Sequence, residues 1–462
     1  MPRFSPTVLA QVTGGIWHNG EPDELRDLCF DARKLEPGEC FVALSSGSRD
    51  GHEFVAQAEE KGAAAAITER VLDLPLPQLV VADSLLAMGA IARDLRAKFT
   101  RPVVGITGSC GKTSTKEMLR LLLGETLTHA TAGNWNNRIG VPMTLYGLNE
   151  KAHQFAVIEA GINQPGEMQL LGEMIRADLT ILTNIGPAHL ELLGSLDGIA
   201  SEKARLAGCA LAGSPIILPA DALQYDAFAE LRARCIVLAG DDAPLPNGLR
   251  GLVRYSSKPG DGASRRLYVD GHEYLVHTAS EGIAANAALA LVAARELGVE
   301  EADLARRIRL WRPEGNRGRI VVEEKDLYYI DCYNANPASM QDALSAFFKA
   351  APESMPRLLV LGAMNELGSS ALDLHTEVGR HLALRREDAA CFVGPDALTR
   401  AYAAGALAAG AAASQLQRVK NTGELKSIVA EFSGALFLKG SRSYQLEALL
   451  SDSLSQPIIS TP

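Results

Sequence analysis

The sequence lacks a long apolar run, clustered cysteines and a leader-like first segment. No stretch reaches 18 consecutive apolar residues, so no transmembrane helix is predicted. The seven cysteines are scattered without a CxxC pair, which favours free thiols in a reducing cytosol over a disulfide frame or a zinc site. Residues 1–6 contain no apolar signal-peptide core. We therefore expect a cytoplasmic protein.

Positive charge is also scarce relative to negative charge. The chain has 45 lysines and arginines against 55 aspartates and glutamates, which gives a formal net charge of −10. Nucleic acid is therefore not expected as a partner. The 47% hydrophobic and 22% charged residues are typical of a soluble globular protein, and 462 residues exceed one ordinary core, so we expect two to four domains.

The most informative stretch, residues 102–121, predicts a strand, a glycine loop and a helix. Residues 103–106 are strand-like, residues 107–111 form the turn, and Lys112 and Thr113 open a helix with apolar positions at helical spacing. Glycines let backbone N–H groups converge on an anion, and a helix N-terminus adds partial positive charge. Lys112 is then expected to reach the β- and γ-phosphates of ATP, and the Thr113 hydroxyl to ligate Mg²⁺.

This loop departs from the strict P-loop pattern, which has glycine where Ile106 stands. The glycine falls at Gly108 instead. The setting between a buried strand and an apolar helix favours a nucleotide site, and the alternative is an ordinary strand-to-helix turn with a solvated lysine. The loop residues expected to bind the nucleotide are Thr107, Gly108, Ser109, Cys110, Gly111, Lys112, Thr113 and Ser114.

Two further apolar strands, 155–158 and 179–183, lead into polar residues. Glu159 follows the first strand, and His189 follows the second after a short turn. Ligands bind beyond the carboxyl ends of the strands in an open parallel sheet, so both side chains are expected beside the phosphates. Glu159 is a suitable Mg²⁺ ligand, and His189 could ligate metal or hydrogen-bond a phosphate oxygen. Alternatively, each residue caps a turn.

The chain divides into three predicted units: 1–99, 100–313 and 314–462. The first mixes short strands and helices, and the second contains the glycine loop. A segment rich in Pro, Gly and Arg at 313–319 forms the second linker, and the third unit alternates strands with helices. This pattern predicts an α/β protein whose third unit is a parallel, doubly wound sheet.

Three other segments carry weaker predictions. Residues 199–206 form a predicted helix with Lys203, which by itself suggests a solvated lysine. Residues 241–270 are predicted as loops and a hairpin. Residues 401–413, rich in alanine and glycine, are predicted as a closely packed helix.

Taken together, the motifs resemble the Mur ligase family of peptidoglycan synthesis. The loop TGSCGKT at 107–113 matches the ATP loop of that family, which likewise lacks the leading glycine. Four further stretches are similar to the members that add D-alanyl-D-alanine: NWNNRIGVP at 134–142, IEAGIN at 158–163, YNANPASM at 333–340 and LGAMNELG at 361–368. The resemblance implies a UDP-binding N-terminal domain, a central P-loop ATPase domain and a Rossmann-like C-terminal domain.

The resemblance also implies roles for single residues. Thr113, Glu159 and His189 would hold two Mg²⁺ ions, with Lys203 as a carbamate ligand to the second. Lys112, His189 and Lys203 would be the catalytic residues. The remaining ligand contacts implied are Asp31, Arg33, Asp50, His52, Asn134 and Asn137 for the UDP-sugar substrate, Asn286 for adenine, Asp331 for ribose, and Arg319 for the ATP phosphates.

The carbamate places a condition on Lys203. Only a neutral amine reacts with CO₂, and keeping a lysine of ordinary pKa neutral at pH 7.4 costs about 4 kcal/mol. Burial and capture of the anionic product must offset that cost. A Lys203 that points into the site is therefore expected as a carbamate, and one that faces solvent as an ordinary lysine.

Two departures from the family are visible. The family has Gly-x-His-Asn where residues 280–283 read Ser-Glu-Gly-Ile, and aspartate where Ala363 follows Gly362. Neither change touches the phosphate and metal residues. Asn365 or Glu366 could replace that aspartate.

The resemblance implies a reaction in which ATP phosphorylates the terminal carboxylate of UDP-MurNAc-tripeptide. The amine of D-Ala-D-Ala then attacks the acyl phosphate. The C-terminal domain is expected to close over the central one to exclude water, with residues 315–318 as hinge. A monomer is expected. The alternatives are another muramyl-peptide or folylpolyglutamate-type ligase, a P-loop kinase or regulatory NTPase, and a binding module without catalysis. Whether residue three of the tripeptide is meso-diaminopimelate or lysine stays open.

Cys110 carries a separate expectation. It lies in the glycine loop near Lys112 and a helix N-terminus, both of which lower a thiol pKa. We therefore expect a reactive thiol that ATP protects. The alternative is a packed, inert cysteine.

Overall fold

The structure is a computed structural model that describes residues 4–46, 49–240, 243–244, 246–451 and 454. Its strands form three main sheets, each built from one continuous part of the chain. No helix among the described residues is both long and apolar enough to cross a membrane. The predicted α/β class is confirmed, and the three parts are called here the N-terminal, central and C-terminal units.

The N-terminal unit is a five-stranded sheet, in the order β1-β7-β6-β3-β2, with β1 antiparallel to β7 and the other pairs parallel. A separate hairpin pairs β4 with β5. Its elements are α1 (Pro6–Thr13), β1 (Ile16–His18), β2 (Leu28–Cys29), β3 (Cys40–Val42), β4 (Ser45–Ser46), β5 (Arg49–Asp50), α2 (Val55–Glu60), β6 (Ala65–Thr68), β7 (Gln78–Val80) and α3 (Ser84–Lys98).

The central unit is a nine-stranded sheet in the order β16-β15-β14-β13-β12-β11-β8-β10-β9. Its elements are β8 (Val103–Thr107), α4 (Lys112–Leu123), β9 (Thr128–Ala130), α5 (Gly140–Tyr146), β10 (Phe155–Glu159), α6 (Glu167–Ile175), β11 (Leu179–Leu182), α7 (Leu190–Leu193), α8 (Leu196–Gly208), β12 (Ile216–Pro219), β13 (Cys235–Ala239), β14 (Gly251–Pro259), β15 (Arg265–Val269), β16 (His272–Val276), α9 (Glu281–Glu296) and α10 (Glu301–Ile308).

Strand direction in the central sheet places the candidate site. Strand β8 lies between β10 and β11 and is parallel to both. The glycine loop, Glu159 and the turn after β11 therefore emerge at one edge, as expected for parallel strands. Helix α4 buries Met118, Leu119, Leu122 and Leu123 against the sheet and α9, which fixes the helix that starts at Lys112.

The C-terminal unit is a six-stranded sheet in the order β17-β18-β22-β19-β20-β21, parallel except for the β17–β18 pair. Its elements are β17 (Arg319–Glu323), β18 (Asp326–Asp331), α11 (Pro337–Ala350), β19 (Arg357–Gly362), α12 (Ala371–Arg380), β20 (Ala389–Val393), α13 (Asp396–Ala408), β21 (Leu416–Val419), α14 (Lys426–Glu431) and β22 (Ala435–Lys439).

Three local predictions differ in part from the structure. Residues 241–270, of which 241, 242 and 245 lie outside the described residues, were expected as loops and a hairpin. The hairpin is present as the antiparallel pair β14–β15, but β14 also pairs with β13 and so extends the main sheet. The mostly half-exposed side chains of β14 conceal the strand pattern. The helix expected at 401–413 begins at Asp396 and ends at Ala408, and the predicted linker ends where Arg319 starts β17.

The N-terminal and central units share one hydrophobic core. A single cluster of buried side chains runs from Phe4 to Leu206 across both units. Arg96 at the end of α3 reinforces the junction, because its guanidinium donates to the carbonyl of Ile175 (2.8 Å) and to Asp178 Oδ2 (2.7 Å). The two units are therefore fixed to each other.

Candidate active site

The glycine loop closes tightly against its neighbours. Gly111, the N-cap of α4, has φ = +81°, and a Cβ there would lie 2.3 Å from Nδ2 of Asn286. A Cβ on Gly108 would lie 1.8 Å from Oγ1 of Thr183. Glycine is therefore required at both positions, and the loop is packed between the end of β11 and the start of α9.

A residue that sequence reasoning missed, Asn184, braces this loop. Its side-chain Oδ1 accepts hydrogen bonds from the N–H groups of Ser109 (3.0 Å) and Cys110 (2.9 Å). The Ser109 hydroxyl donates to the Gly186 carbonyl (2.8 Å). The signal was available in the sequence, because Asn184 directly follows a predicted strand that ends at the same edge.

Lys112 points back over the loop. Its ammonium donates to the carbonyl of Gly108 at 2.7 Å. Burial lowers the pKa of Lys112, and the negative charge of the nearby Glu159 opposes that change. A half-buried lysine at the N-terminus of a helix suits a phosphate, because the helix end adds partial positive charge to that of the ammonium.

Glu159, at the end of β10, has one carboxylate oxygen available. The residue is 1% exposed; its Oε1 accepts a hydrogen bond from Nδ2 of Asn136 (2.8 Å), and its Oε2 has no hydrogen-bond partner. A buried carboxylate oxygen without a partner is costly unless a cation binds it. The donor set therefore fits a divalent cation held between Glu159 and the neighbouring phosphate loop.

His189 lines the same cleft but contacts the C-terminal unit. Its Nδ1 lies 2.5 Å from Oε2 of Glu366, which follows β19. This hydrogen bond lowers the pKa of Glu366. Among the residues that the structure describes, no three His, Cys, Asp or Glu side chains are placed to hold a metal together. His189 and Glu159 alone therefore do not complete a metal site. The expected Mg²⁺ ligation needs further oxygen ligands, such as those of a bound phosphate or of a modified Lys203.

The structure rejects the interpretation of Lys203 as a solvated lysine. The residue lies on α8 and is 3% exposed. Burial and the positive charge of Lys112 lower its pKa well below the ordinary lysine value. The lowered pKa favours the neutral amine that reacts with CO₂, and the carbamate itself stays a prediction.

The expectation of a low pKa for Cys110 is wrong. Burial raises the pKa of this thiol, and the opposing effects of the Asn184 hydrogen bond and Lys112 are smaller. Sequence reasoning counted the nearby positive charge and omitted the desolvation of the thiolate.

Polar residues of the C-terminal unit form the opposite wall of the cleft. Asp331 forms a buried ion pair with Lys439 (Oδ2–Nζ, 2.6 Å). Its carboxylate would therefore be shared between Lys439 and the expected ribose, and the ribose contact stays a prediction. Burial raises the pKa of Asp331, and Lys439 opposes that shift. Asn286 lines the cleft, and its amide lies against Gly111 at the phosphate end. Its expected contact with adenine stays a prediction.

The structure does not bring Arg319 to the cleft. Arg319 is 4% exposed and donates a hydrogen bond to the carbonyl of Leu454. Arg317, two residues earlier, lines the cleft instead, with its guanidinium 3.6 Å from the ring centre of Tyr333. From the sequence of the linker, either Arg317 or Arg319 could have faced the cleft. Because β17 begins at Arg319, the side chain of Arg319 turns into the C-terminal unit.

The expected substrate residues fall into two groups. Asn134 and Asn137 line the cleft, and Oδ1 of Asn137 caps α5 by accepting from the N–H groups of Ile139 and Gly140. Asn136, between them, was missed, although it stands in the same asparagine-rich run. Its contact with Glu159 makes it part of the site.

The residues expected to bind UDP lie in the N-terminal unit, outside the cleft. Asp31 pairs with Arg33 (2.9 Å), and Asp50 pairs with Arg70 (2.7 Å). The expected contact of His52 with the substrate is not supported. His52 is 4% exposed, and both ring nitrogens are used, Nδ1 with Asp50 and Nε2 with the N–H of Glu69. Its role here is to hold Asp50. Phe30, beside Asp31, packs edge-to-face on Trp135 of the asparagine-rich loop, so the two regions are linked.

The cleft between the central and C-terminal units has a volume of about 720 Å³, within the range of small-molecule sites. One wall holds the glycine loop, Glu159 and His189. The other holds Asp331, Glu366 and Lys439. This arrangement can neutralise a polyphosphate on one side and close over it from the other.

Comparisons with known proteins agree on one family. The family model described as the Mur ligase middle domain matches residues 106–294, and that described as Mur ligase, glutamate ligase domain, matches residues 316–438. A protein of Synechocystis named UDP-N-acetylmuramoyl-tripeptide–D-alanyl-D-alanine ligase is 33% identical over 87% of this chain and 86% of its own. The Escherichia coli protein of that name is 33% identical over 91% and 92%.

Solved structures give the same picture. A crystal structure of MurF from Acinetobacter baumannii is similar with a TM-score of 0.84 and 30% identity, over 98% of this chain and 99% of that one. A folylpolyglutamate synthase from Thermotoga maritima shares the fold alone, with a TM-score of 0.57 and 13% identity.

Proposed function

The chain belongs to the Mur ligase family, and we propose that it joins D-alanyl-D-alanine to UDP-N-acetylmuramoyl-tripeptide in peptidoglycan precursor synthesis, with ATP converted to ADP. The observation that carries the chemistry is the pairing of Lys112, a half-buried lysine at the end of the glycine loop, with Glu159, a buried carboxylate that has one unused oxygen. Both lie in a cleft large enough for the nucleotide and the end of the peptide.

The first step transfers the γ-phosphoryl group of ATP to the terminal carboxylate of the tripeptide. A carboxylate is a poor electrophile, and the acyl phosphate gives the carbonyl carbon a good leaving group. The amine of D-alanyl-D-alanine then attacks that carbon, loses a proton, and inorganic phosphate leaves. Lys112 and the N–H groups of the loop stabilise the negative charge on the transferring group.

We propose Mg²⁺ ligation by Thr113, Glu159, His189 and a carbamate on Lys203. The unused oxygen of Glu159 and the burial of Lys203 support this assignment. Bound Mg²⁺ supplies charge neutralisation for the phosphates. A carbamate at Lys203 would place a negative charge beside Lys112, which favours both the metal and a protonated Lys112.

We further propose that the substrate sugar nucleotide lies along the N-terminal unit, near Asp31 and Arg33, and that its peptide end passes Asn134 and Asn137. The contact between Phe30 and Trp135 supports this path, because it joins the two regions. Domain limits of 1–99, 100–313 and 314–462, a cytoplasmic location and a monomeric state complete the proposal.

The test measures phosphate release from MgATP with UDP-MurNAc-tripeptide, with and without D-alanyl-D-alanine, and the mass of the product. Release that requires both substrates, with a pentapeptide product, is the expected result. Release that does not depend on the dipeptide indicates another amide ligase of this fold. No release with any amino acid or dipeptide acceptor contradicts ligase activity.

A further inference from the structure

Lys116 is a fully buried lysine with no role in the chemistry described above. It lies on α4, one helical turn after Lys112, and is 0% exposed. Its ammonium donates to the carbonyls of Thr131 (2.6 Å) and Gly133 (3.3 Å) and lies 2.9 Å from Oε1 of Glu117. Burying an ammonium group costs several kcal/mol, and an apolar side chain at this core-facing position avoids that cost. The ammonium must therefore do something that an apolar side chain cannot.

The backbone that Lys116 holds leads directly to Glu159. The Thr131 hydroxyl accepts the N–H of Glu159 (2.9 Å), and the Thr131 N–H donates to the carbonyl of Val157 (3.1 Å) in the same strand. Gly133 has φ = +51°, a conformation in which its carbonyl is within reach of Lys116. The segment 131–133 is thus clamped between α4 and β10.

Asn136, three residues after Gly133, sets the orientation of the Glu159 carboxylate. Nδ2 of Asn136 donates to Oε1 of Glu159 (2.8 Å), and the carbonyl of Asn136 accepts the N–H of Gly161 (2.8 Å). A Cβ on Gly161 would lie 2.8 Å from the Asn136 amide, so this fit is close. Because Asn136 occupies Oε1, it is Oε2 that is left without a partner and available to a cation.

We propose that Lys116 is a positioning residue for Glu159, acting through the backbone of residues 131–136. It places Asn136 so that the carboxylate presents Oε2 to a divalent cation at the phosphate loop. The same helix thus carries the phosphate-binding Lys112 at its start and the residue that orients the metal ligand one turn later. This inference rests on the proposed function for the identity of the cation and deepens its account of the site.

The test compares three variants of the full chain for binding of Mn²⁺ in the presence of ADP, measured by the paramagnetic resonance signal of free Mn²⁺. Lys116→Met removes the clamp and is expected to weaken Mn²⁺ binding by about tenfold, the size found when partners of metal ligands are removed. Glu117→Gln is the matched control, because it removes the carboxylate contact of Lys116 and keeps both carbonyl contacts. It is expected to bind Mn²⁺ within about twofold of the wild type.

The third variant, Asn136→Ala, tests the route. If Lys116 acts through Asn136, the double variant Lys116→Met/Asn136→Ala is no weaker in Mn²⁺ binding than the weaker single variant. In the ligase assay, Lys116→Met is expected to lower kcat and raise the Mg²⁺ concentration for half-maximal rate, with KM for D-alanyl-D-alanine unchanged. A general loss of packing would raise that KM as well.

Wild-type Mn²⁺ affinity in Lys116→Met, or additive losses in the double variant, overturns the proposal. If Lys116→Met fails to fold, Asn136→Ala alone tests the last link of the proposed route by removing the donor to Oε1 of Glu159, and unchanged Mn²⁺ binding there overturns the proposal equally. Failure of the wild type to form pentapeptide counts against the proposed function alone, because the Mn²⁺ measurements do not depend on the peptide substrates.

Discussion

Nδ1 of His189 and Oε2 of Glu366 lie 2.5 Å apart, and this pair joins the central unit to the C-terminal unit. Both residues have positive φ, +57° and +63°, which is uncommon outside glycine. Two further contacts across this boundary are polar: Asp342 accepts from the Ser280 hydroxyl (2.5 Å), and Lys349 pairs with Glu281 (2.9 Å). Because the N-terminal and central units share a core, we infer that the C-terminal unit is the one that moves.

Glu366→Ala is expected to shift the nucleotide-free protein towards an open arrangement. The pair is partly exposed, so its loss costs at most about 1 kcal/mol, which changes the ratio of open to closed molecules by about fivefold. Small-angle scattering measures the change as a larger radius of gyration. Glu431→Gln, at an exposed position at the end of α14, is the control. An unchanged radius in Glu366→Ala means that the other polar contacts hold the units together.

Gly111→Ala is expected to weaken ATP binding selectively. The φ of +81° disfavours alanine, and the new Cβ would displace the amide of Asn286. A strain of about 1–2 kcal/mol corresponds to a loss of affinity of about tenfold or more. Gly186→Ala is the matched control, because its Cβ would meet no atom closer than 3.8 Å. Equal ATP affinity in the two variants, measured by calorimetry, would show that the loop tolerates a side chain.

Carbon dioxide is expected to bind covalently to Lys203. Burial and the charge of Lys112 lower the pKa of this amine, which favours the neutral form that reacts with CO₂. Protein exposed to ¹³C-labelled bicarbonate should show a carbamate carbon signal by nuclear magnetic resonance. Lys203→Met should abolish the signal and lower ligase turnover by about 10- to 100-fold. Lys98, which pairs with Asp94 on an exposed helix face, is the control, and Lys98→Met should keep the signal.

The residues whose placement was predicted correctly are those whose position is determined by sequence order and strand direction. The glycine loop, Glu159 and His189 follow three neighbouring parallel strands, so all three reach one edge and line one cleft. The family and the α/β class were predicted from the same motifs and are confirmed.

The predictions that failed depend on the direction of a side chain rather than on the order of residues in the sequence. Arg319 and Arg317 stand two residues apart, and only the start of β17 decides which one faces the cleft. His52 looked available, but both its nitrogens are used inside the N-terminal unit. Asn136 and Asn184 act by hydrogen bonding to other site residues. Their positions in the sequence could have placed them near the site, but the contacts they make depend on side-chain orientation.

Alkylation of Cys110 is expected to be slow at neutral pH, contrary to the expectation from its neighbours in sequence. Only the thiolate reacts, and burial raises the pKa of this thiol above its ordinary value of 9.0. The rate of modification by iodoacetamide, followed by mass spectrometry of the labelled peptide, should therefore still be rising as the pH passes 9. MgADP should slow it further by covering the loop, and Cys110→Ser identifies the peptide. A rate that is already constant between pH 7 and pH 9 would mean that Lys112, the helix N-terminus and the hydrogen bond donated by Asn184 outweigh burial.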